Sequence, residues 1–168
     1  MIEIKNLVMD YKGKKVLDNI NLTIEEGQVV GLVGENGSGK TTLLRILAGL
    51  ERSYQGDVKI NGKAPGGKTN LMVSYQPDHL ALDESLKISD VAKIYKKFYE
   101  DFNDKKFYEL IKSFDISPDL KIKECSKGMK EKVQIALTLS RKTKIYLLDE
   151  PLSGIDPKSR KIVLKTII

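Results

Sequence analysis

The chain has 168 residues, of which 40% are hydrophobic and 31% are charged, and its formal net charge is +6 at pH 7. This composition is typical of one globular domain or a little more, and it excludes a disordered chain. It contains no apolar run near the roughly 18 residues of a membrane-spanning helix, and its first residues lack the pattern of a signal peptide.

The first third of the chain combines strand patterns with one helix. Alternating apolar residues predict strands over Ile2–Leu7 and Val16–Ile24, separated by a turn at Lys12–Lys15. The unbroken apolar run Val29–Val33 predicts a short strand buried on both faces of a parallel sheet. Thr41–Ala48 has the spacing of a helix, with three leucines directed inward.

The remaining elements are mostly helical. In chain order we predict a short strand at Val58–Ile60 with a hairpin signal at Asn61-Gly62, a mainly helical insertion over residues 84–125, a helix over Met129–Ser140, a second buried strand at Ile145–Leu148, and a last helix that begins at Pro157 and runs to the end of the chain.

Residues 34–41 read G-E-N-G-S-G-K-T and fit the phosphate-binding pattern G-x-x-x-x-G-K-[ST]. The motif lies between a predicted strand and a predicted helix, which is the context that it requires. The glycines let backbone N–H groups converge on an anion, and the helix N-terminus adds a positive dipole. Lys40 would neutralise the β/γ-phosphates, and the Thr41 hydroxyl would ligate Mg²⁺. A glycine-rich turn without a ligand is the alternative.

Two carboxylates, Asp149 and Glu150, follow the predicted strand Ile145–Leu148. Ligands of open α/β sheets collect at the carboxyl ends of strands. Asp149 is therefore a candidate Mg²⁺ ligand through a water molecule. Glu150, which would point the other way, is a candidate base for an attacking water. A strand that ends in solvent is the alternative.

The order of these motifs resembles that of the ATP-binding cassette (ABC) ATPases along essentially the whole chain. The residues that carry the resemblance are the segment Val29–Ala48, Gln76-Pro77, Cys125-Ser126-Lys127-Gly128-Met129, Asp149-Glu150-Pro151 and Ser153-Gly154-Ile155-Asp156. It implies an α/β fold, a P-loop NTPase sandwich with a β-rich N-terminal subdomain and a helical insertion.

The resemblance also implies roles for individual residues. Tyr11 would stack on adenine, and Gln76 would meet Mg²⁺ and report to a membrane partner. Ser126 and Gly128 would contact the γ-phosphate of a nucleotide held by a second subunit, and Asp156 would lie at that interface. The nucleotide itself would be held by Gly34, Glu35, Asn36, Gly37, Ser38, Gly39, Lys40, Thr41 and Thr42.

Three positions depart from the family's common signature Leu-Ser-Gly-Gly-Gln: Cys125, Lys127 and Met129. A Ser-Lys-Gly-Met core is similar to that of bacterial exporters of drugs and antimicrobial peptides. The family's switch histidine should follow Glu150 after another strand, and His79 is not at that position. We therefore expect a C-terminally shortened ABC domain over residues 1–168 that binds MgATP but hydrolyses it poorly, with apolar surface exposed near Ile162, Val163 and Leu164.

The function implied by the resemblance is that of an ATP-driven motor subunit of a transporter. Its ligands would be ATP and Mg²⁺. Its partners would be a second ABC ATPase subunit, identical or not, and a separate transmembrane permease, with no nucleic acid. It would lie in the cytoplasm on the inner face of the membrane, a reducing compartment that suits the single cysteine.

Other classes of protein share some of these features. A GTPase would need Asn-Lys-x-Asp, and the chain contains no Asn-Lys pair. A small-molecule kinase would leave the Ser126–Gly128 segment without a role, and a purely structural module would bind no nucleotide. A non-transport ABC ATPase acting on DNA or ribosomes is the strongest alternative, because the net charge is positive.

Overall fold

The computed structural model describes residues 1–79 and 82–167, which form two compact units, one of residues 1–73 and one that begins at Ser74. The strands and helices are β1 (Ile2–Tyr11), β2 (Lys14–Ile24), α1 (Lys40–Leu47), β3 (Gln55–Ile60), β4 (Val73–Gln76), α2 (Ile88–Phe98), α3 (Asp104–Ser113), α4 (Lys127–Leu139), β5 (Ile145–Leu148) and α5 (Pro157–Ile167). Single 3₁₀ turns lie at Gly67–Thr69 and Ile122–Glu124.

The first unit is built on an antiparallel sheet with the strand order β2-β1-β3. Alternation buries Ile2 and Ile4 on one face, and a register shift between Ile4 and Leu7 returns Leu7 and Met9 to that face. Helix α1 contacts β2 and buries its apolar stripe, which contains Leu43, Leu44, Ile46 and Leu47. Both predicted N-terminal strands and the predicted helix are confirmed.

The prediction of a buried strand at Val29–Val33 is wrong. The segment has no regular structure, and Val29 and Val33 are 71% and 97% exposed. A strand buried on both faces needs hydrogen-bonded neighbours at both edges. Among the described residues, neither of the two sheets pairs a strand with this run. The phosphate loop is therefore followed by its predicted helix but is not preceded by a strand.

The turn at Asn61-Gly62 forms as predicted, but the hairpin is minimal. Asn61 and Gly62 have φ values of 48° and 74°, as a primed turn requires. The N–H of Ile60 donates to the Lys63 carbonyl at 2.7 Å, and the N–H of Lys63 donates back at 3.0 Å. The pairing is the single bridge Ile60–Lys63, so no second strand follows the turn.

Helices α2, α3 and α4 of the second unit share one apolar core. Phe107, Ile111, Val133 and Leu137 are all essentially inaccessible to solvent within it. The predicted helical character of residues 84–125 agrees with α2, α3 and the intervening turns. The boundaries of that segment as a separate subdomain remain a prediction.

Two predictions about apolar burial in the second unit need correction. Strand β5 was predicted to be buried, but only Leu147 is fully so, and Tyr146 is 37% exposed. The region of α5 predicted to be exposed is largely covered, because Val163 packs into the core and Ile162 is half-buried. Leu164 alone of the three is exposed, because it lies on the solvent side of this amphipathic helix.

Candidate nucleotide-binding site

The phosphate loop leads directly into the N-terminus of α1. Gly39 precedes the helix with φ 93°, and no side chain caps the helix there. The first turn of α1 carries no acidic side chain. Its free N–H groups and the positive end of the helix dipole therefore provide a position that favours an anion.

Lys40 crosses this loop. Its Nζ donates to the carbonyl oxygens of Gly34 and Glu35, each at 2.8 Å. Residues 34–38 of the loop and Thr41 are exposed, and Thr42 is half-buried. The ammonium group is thus held over the loop by weak neutral acceptors, which a phosphate can replace with charge-assisted hydrogen bonds.

Gly37 and Gly39 allow a direct test of the loop's packing. Both have positive φ, 82° and 93°, but a Cβ on Gly37 would meet nothing within 4 Å, whereas one on Gly39 would lie 2.7 Å from the Val16 carbonyl oxygen. We expect Gly37→Ala to lower the free energy of unfolding by about 1 kcal/mol, the cost of left-handed backbone. Gly39→Ala should lower the free energy of unfolding by about 1–3 kcal/mol more than Gly37→Ala does, because the Val16 carbonyl must move away from the new Cβ.

Urea denaturation of the two variants measures this difference, with Gly37→Ala as the control for backbone strain. Equal stabilities would contradict the close approach between the loop and β2.

Tyr11 lies at the end of β1 beside α1. Its hydroxyl donates to Glu51 Oε2 at 3.1 Å, and the residue is 43% exposed. Partial burial and then the neighbouring Glu51 raise the pKa of Tyr11, so the phenol stays neutral at physiological pH, and Thr42 and Arg45 of α1 are also within its surroundings. An accessible neutral ring next to this helix is suited to stacking on a base, as the resemblance implied.

Gln76 and Asp149 lie together at the carboxyl ends of β4 and β5. The Asp149 N–H donates to the Gln76 carbonyl at 3.0 Å, and both side chains are buried. Gln76 Oε1 and Asp149 Oδ2 are buried oxygens that have no hydrogen-bond partner among the described residues. Buried oxygens of this kind require an explanation, and a hard cation such as Mg²⁺ fits them.

Glu150 is exposed next to the buried Asp149. Its backbone is in the left-handed region, with φ 47°. The two carboxylates therefore differ in their exposure. Both follow β5, and the left-handed backbone of Glu150 lies outside the alternation of a strand, so the expected separation of their roles stays a prediction.

Ser126 caps α4. Its Oγ accepts from the Met129 N–H at 3.2 Å, while the residue itself is exposed. Cys125, where the family has leucine, is buried and serves as an apolar residue. Met129 is half-buried against the core, and Lys127 is exposed. The fold therefore accommodates all three departures from the common signature.

Asp156 directly precedes α5 and contacts Lys132 of α4. It accepts from the Ser159 N–H at 2.9 Å and from the Ser159 hydroxyl at 2.8 Å. Lys132 Nζ lies 2.6 Å from its Oδ2. Lys132, and then the Ser159 donors, hold the pKa of Asp156 far below its usual range.

The candidate residues thus form separate groups. Tyr11 and the phosphate loop belong to the first unit. In the second unit, Gln76 pairs with Asp149, and the start of α4 with Ser126 and Gly128 packs against the segment that contains Asp156. Sequence reasoning missed Lys132. The i,i+4 spacing that puts it on the same face of α4 as Gly128 was the available signal.

The family model described as "ABC transporter" matches residues 17–153 of the chain. An uncharacterized ABC transporter ATP-binding protein of Methanocaldococcus jannaschii is 38% identical over 92% of this chain and 58% of its own length. A methionine import ATP-binding protein of Clostridium tetani is 35% identical over 99% of this chain and 56% of its own length. The lipopolysaccharide export ATP-binding protein of Haemophilus influenzae is 33% identical, over 97% and 72%. The chain spans less than two thirds of the first two.

Solved structures of ABC transporter ATP-binding proteins are also similar to this chain. A putative ABC transporter ATP-binding protein from Pyrococcus furiosus superposes with a TM-score of 0.85 at 33% identity and covers 99% of this chain and 83% of its own. A bacterial ABC transporter cassette solved as a dimer gives a TM-score of 0.86 at 25% identity, over 99% and 81%. None of the helices formed by residues 1–79 and 82–167 has the length and apolar character needed to cross a bilayer. With its P-loop fold and a family match that covers most of its length, the chain belongs to the ABC transporter ATP-binding family.

Proposed function

We propose that this chain is the ATP-binding and hydrolysing subunit of an ABC transporter. The observation that carries the proposal is the phosphate loop, where Lys40 Nζ and the uncapped N-terminus of α1 are arranged for an anion. The β- and γ-phosphates of ATP match this arrangement. Residues 34–42 hold the phosphates, and Tyr11 stacks on the adenine.

Magnesium fits the donors that the second unit provides. Gln76 Oε1 and Asp149 Oδ2 are the oxygen ligands that Mg²⁺ prefers, and burial without a partner among the described residues leaves both available. Gln76 and Asp149 are its proposed ligands in the second unit, and the resemblance implies the Thr41 hydroxyl of the first unit as a further one. The ion would offset the negative charge of the β- and γ-phosphates.

Hydrolysis then requires a base. Glu150 accepts a proton from water, whose oxygen attacks the γ-phosphorus while the bond to the β–γ bridging oxygen breaks, and ADP and phosphate leave. In this proposal the signature segment with Ser126 and Gly128, together with Asp156, completes the site of a second cassette, so ATP joins two subunits and hydrolysis releases them. A similar cassette has been solved as a dimer, which supports this arrangement.

The finer proposal is that the transporter exports drugs or peptides through a separate permease, with this subunit on the inner face of the membrane. The Ser126-Lys127-Gly128-Met129 core supports export. Relatives of similar sequence identity include one named for import and one named for export. The proposed direction of transport therefore depends on the signature residues alone.

Calorimetric titration of the chain with MgATP, with ATP in the presence of EDTA and with MgAMP tests the core of this proposal. We expect one site for MgATP, binding about 10-fold weaker without the metal, and binding about 100-fold weaker for AMP, which lacks the phosphates that Lys40 contacts. Equal affinity for AMP and ATP would contradict the role of the loop.

The net charge of +6 favours one other candidate, an ABC ATPase that acts on DNA or ribosomes. Fluorescence anisotropy with labelled duplex DNA at physiological salt separates the two. Binding that depends on MgATP would favour the nucleic-acid function, and its absence would favour transport.

A further inference from the structure

The first two turns of α4 touch the segment Ser153–Asp156 with no room for added atoms. A Cβ on Gly128 would lie 3.0 Å from the Gly154 carbonyl oxygen. A Cβ on Gly154, which has φ 71°, would lie 2.2 Å from Glu131 Oε2. The two segments are therefore closely packed, with backbone against backbone at Gly128 and the Glu131 side chain against backbone at Gly154.

An ion pair joins the same two segments. Lys132 Nζ lies 2.6 Å from Asp156 Oδ2, and the Lys132 side chain is only 16% exposed. The same carboxylate accepts two hydrogen bonds from Ser159 and so caps α5. Lys132 thus connects α4, which Ser126 caps, to Asp156, which directly precedes α5.

We infer that Lys132 is a positioning residue, which holds Ser126 and Asp156 at a fixed spacing so that both engage a second cassette together. The inference rests on the proposed function, in which both residues act across a dimer. Without the lysine, α4 still forms and its Ser126 cap remains. The binding of ATP to one chain does not involve this contact, so the loss should appear when two chains associate.

The test uses the Glu150→Gln protein, in which slow hydrolysis preserves the γ-phosphate, and adds Lys132→Met, Lys132→Arg or Lys158→Met. Lys158 is the matched control, because it lies in the first turn of α5 and also pairs with an aspartate, Asp115 at 2.9 Å, but both side chains of that pair are exposed. Calorimetry measures MgATP affinity, sedimentation measures MgATP-driven association, and thermal unfolding shows that each variant is folded.

We expect Lys132→Met to bind MgATP within about twofold of the parent and to associate about 10-fold more weakly, because the covered Lys132 ammonium no longer fixes the Asp156 carboxylate. Lys132→Arg should restore association to within about threefold, since it keeps the charge. Lys158→Met should match the parent in both measurements.

Parental association by Lys132→Met, or equal losses in Lys132→Met and Lys132→Arg, would overturn the inference while leaving ATP binding intact. An equal loss in Lys158→Met would overturn it too, because the effect would not be specific to Lys132. A parent protein that binds no MgATP, or binds it without associating, would instead overturn the proposed function and this inference with it.

Discussion

Replacing Lys40 by alanine should weaken MgATP binding about 100-fold or more, which corresponds to about 2.7 kcal/mol. The ammonium group is the charged side chain held over the phosphate loop, by the carbonyls of Gly34 and Glu35. Hydrogen bonds between an ammonium and phosphate oxygens are about twice as strong as neutral ones, and alanine offers none.

The same substitution should change the free energy of unfolding by about 1 kcal/mol or less, because the two carbonyls are exposed and can bond to water instead. Calorimetry and urea denaturation measure the two quantities. Lys68→Ala, which removes an exposed lysine of the same unit outside the loop, is the control for a general loss of positive charge. An Lys40→Ala protein with parental affinity would remove the phosphate-loop assignment.

Replacing Glu150 by glutamine should lower ATP turnover about 10²–10⁴-fold, the range expected for loss of a general base. Glu150 is exposed at the end of β5 and makes no structural contact that the substitution would break among those described, so the fold should not change. Binding of MgATP should be retained, because the phosphate loop and Asp149 are unaltered.

Single-turnover phosphate release measures this rate even where steady-state turnover is slow. Glu109→Gln removes an exposed carboxylate of the same unit, one on α3 outside the candidate site, and is the control for charge alone. A Glu150→Gln protein that releases phosphate at the parental rate would show that another group activates the water.

Local patterns predicted most of the regular elements, and the failures have non-local causes. The helices followed from 3.6-residue periodicity and β1 and β2 from alternation. The prediction of a strand at Val29–Val33 failed because the burial of an apolar run depends on neighbouring strands. The sequence of the run itself does not show whether such neighbours pair with it. Strand β4 was not predicted, because two of its buried residues are polar: Ser74, which donates to the Thr138 carbonyl, and Gln76.

The same distinction holds for the candidate site. The phosphate loop is contiguous, so its glycines and Lys40 were identifiable from spacing alone. The pairing of Gln76 with Asp149 joins two strands that are distant in the chain, and only the resemblance suggested it. Lys132 and Asp156 meet through tertiary packing of α4 against α5. The i,i+4 spacing indicates that Lys132 shares a face of α4 with Gly128, but it does not identify Asp156 as the partner.

A crystal structure of the chain with Mg²⁺ and a non-hydrolysable analogue of ATP tests the central claim most directly. We expect the β- and γ-phosphates to lie in the loop of residues 34–42, with Lys40 Nζ moved from the Gly34 and Glu35 carbonyls to phosphate oxygens. The adenine should stack on Tyr11. A nucleotide bound elsewhere, with Lys40 still on those two carbonyls, would contradict the account.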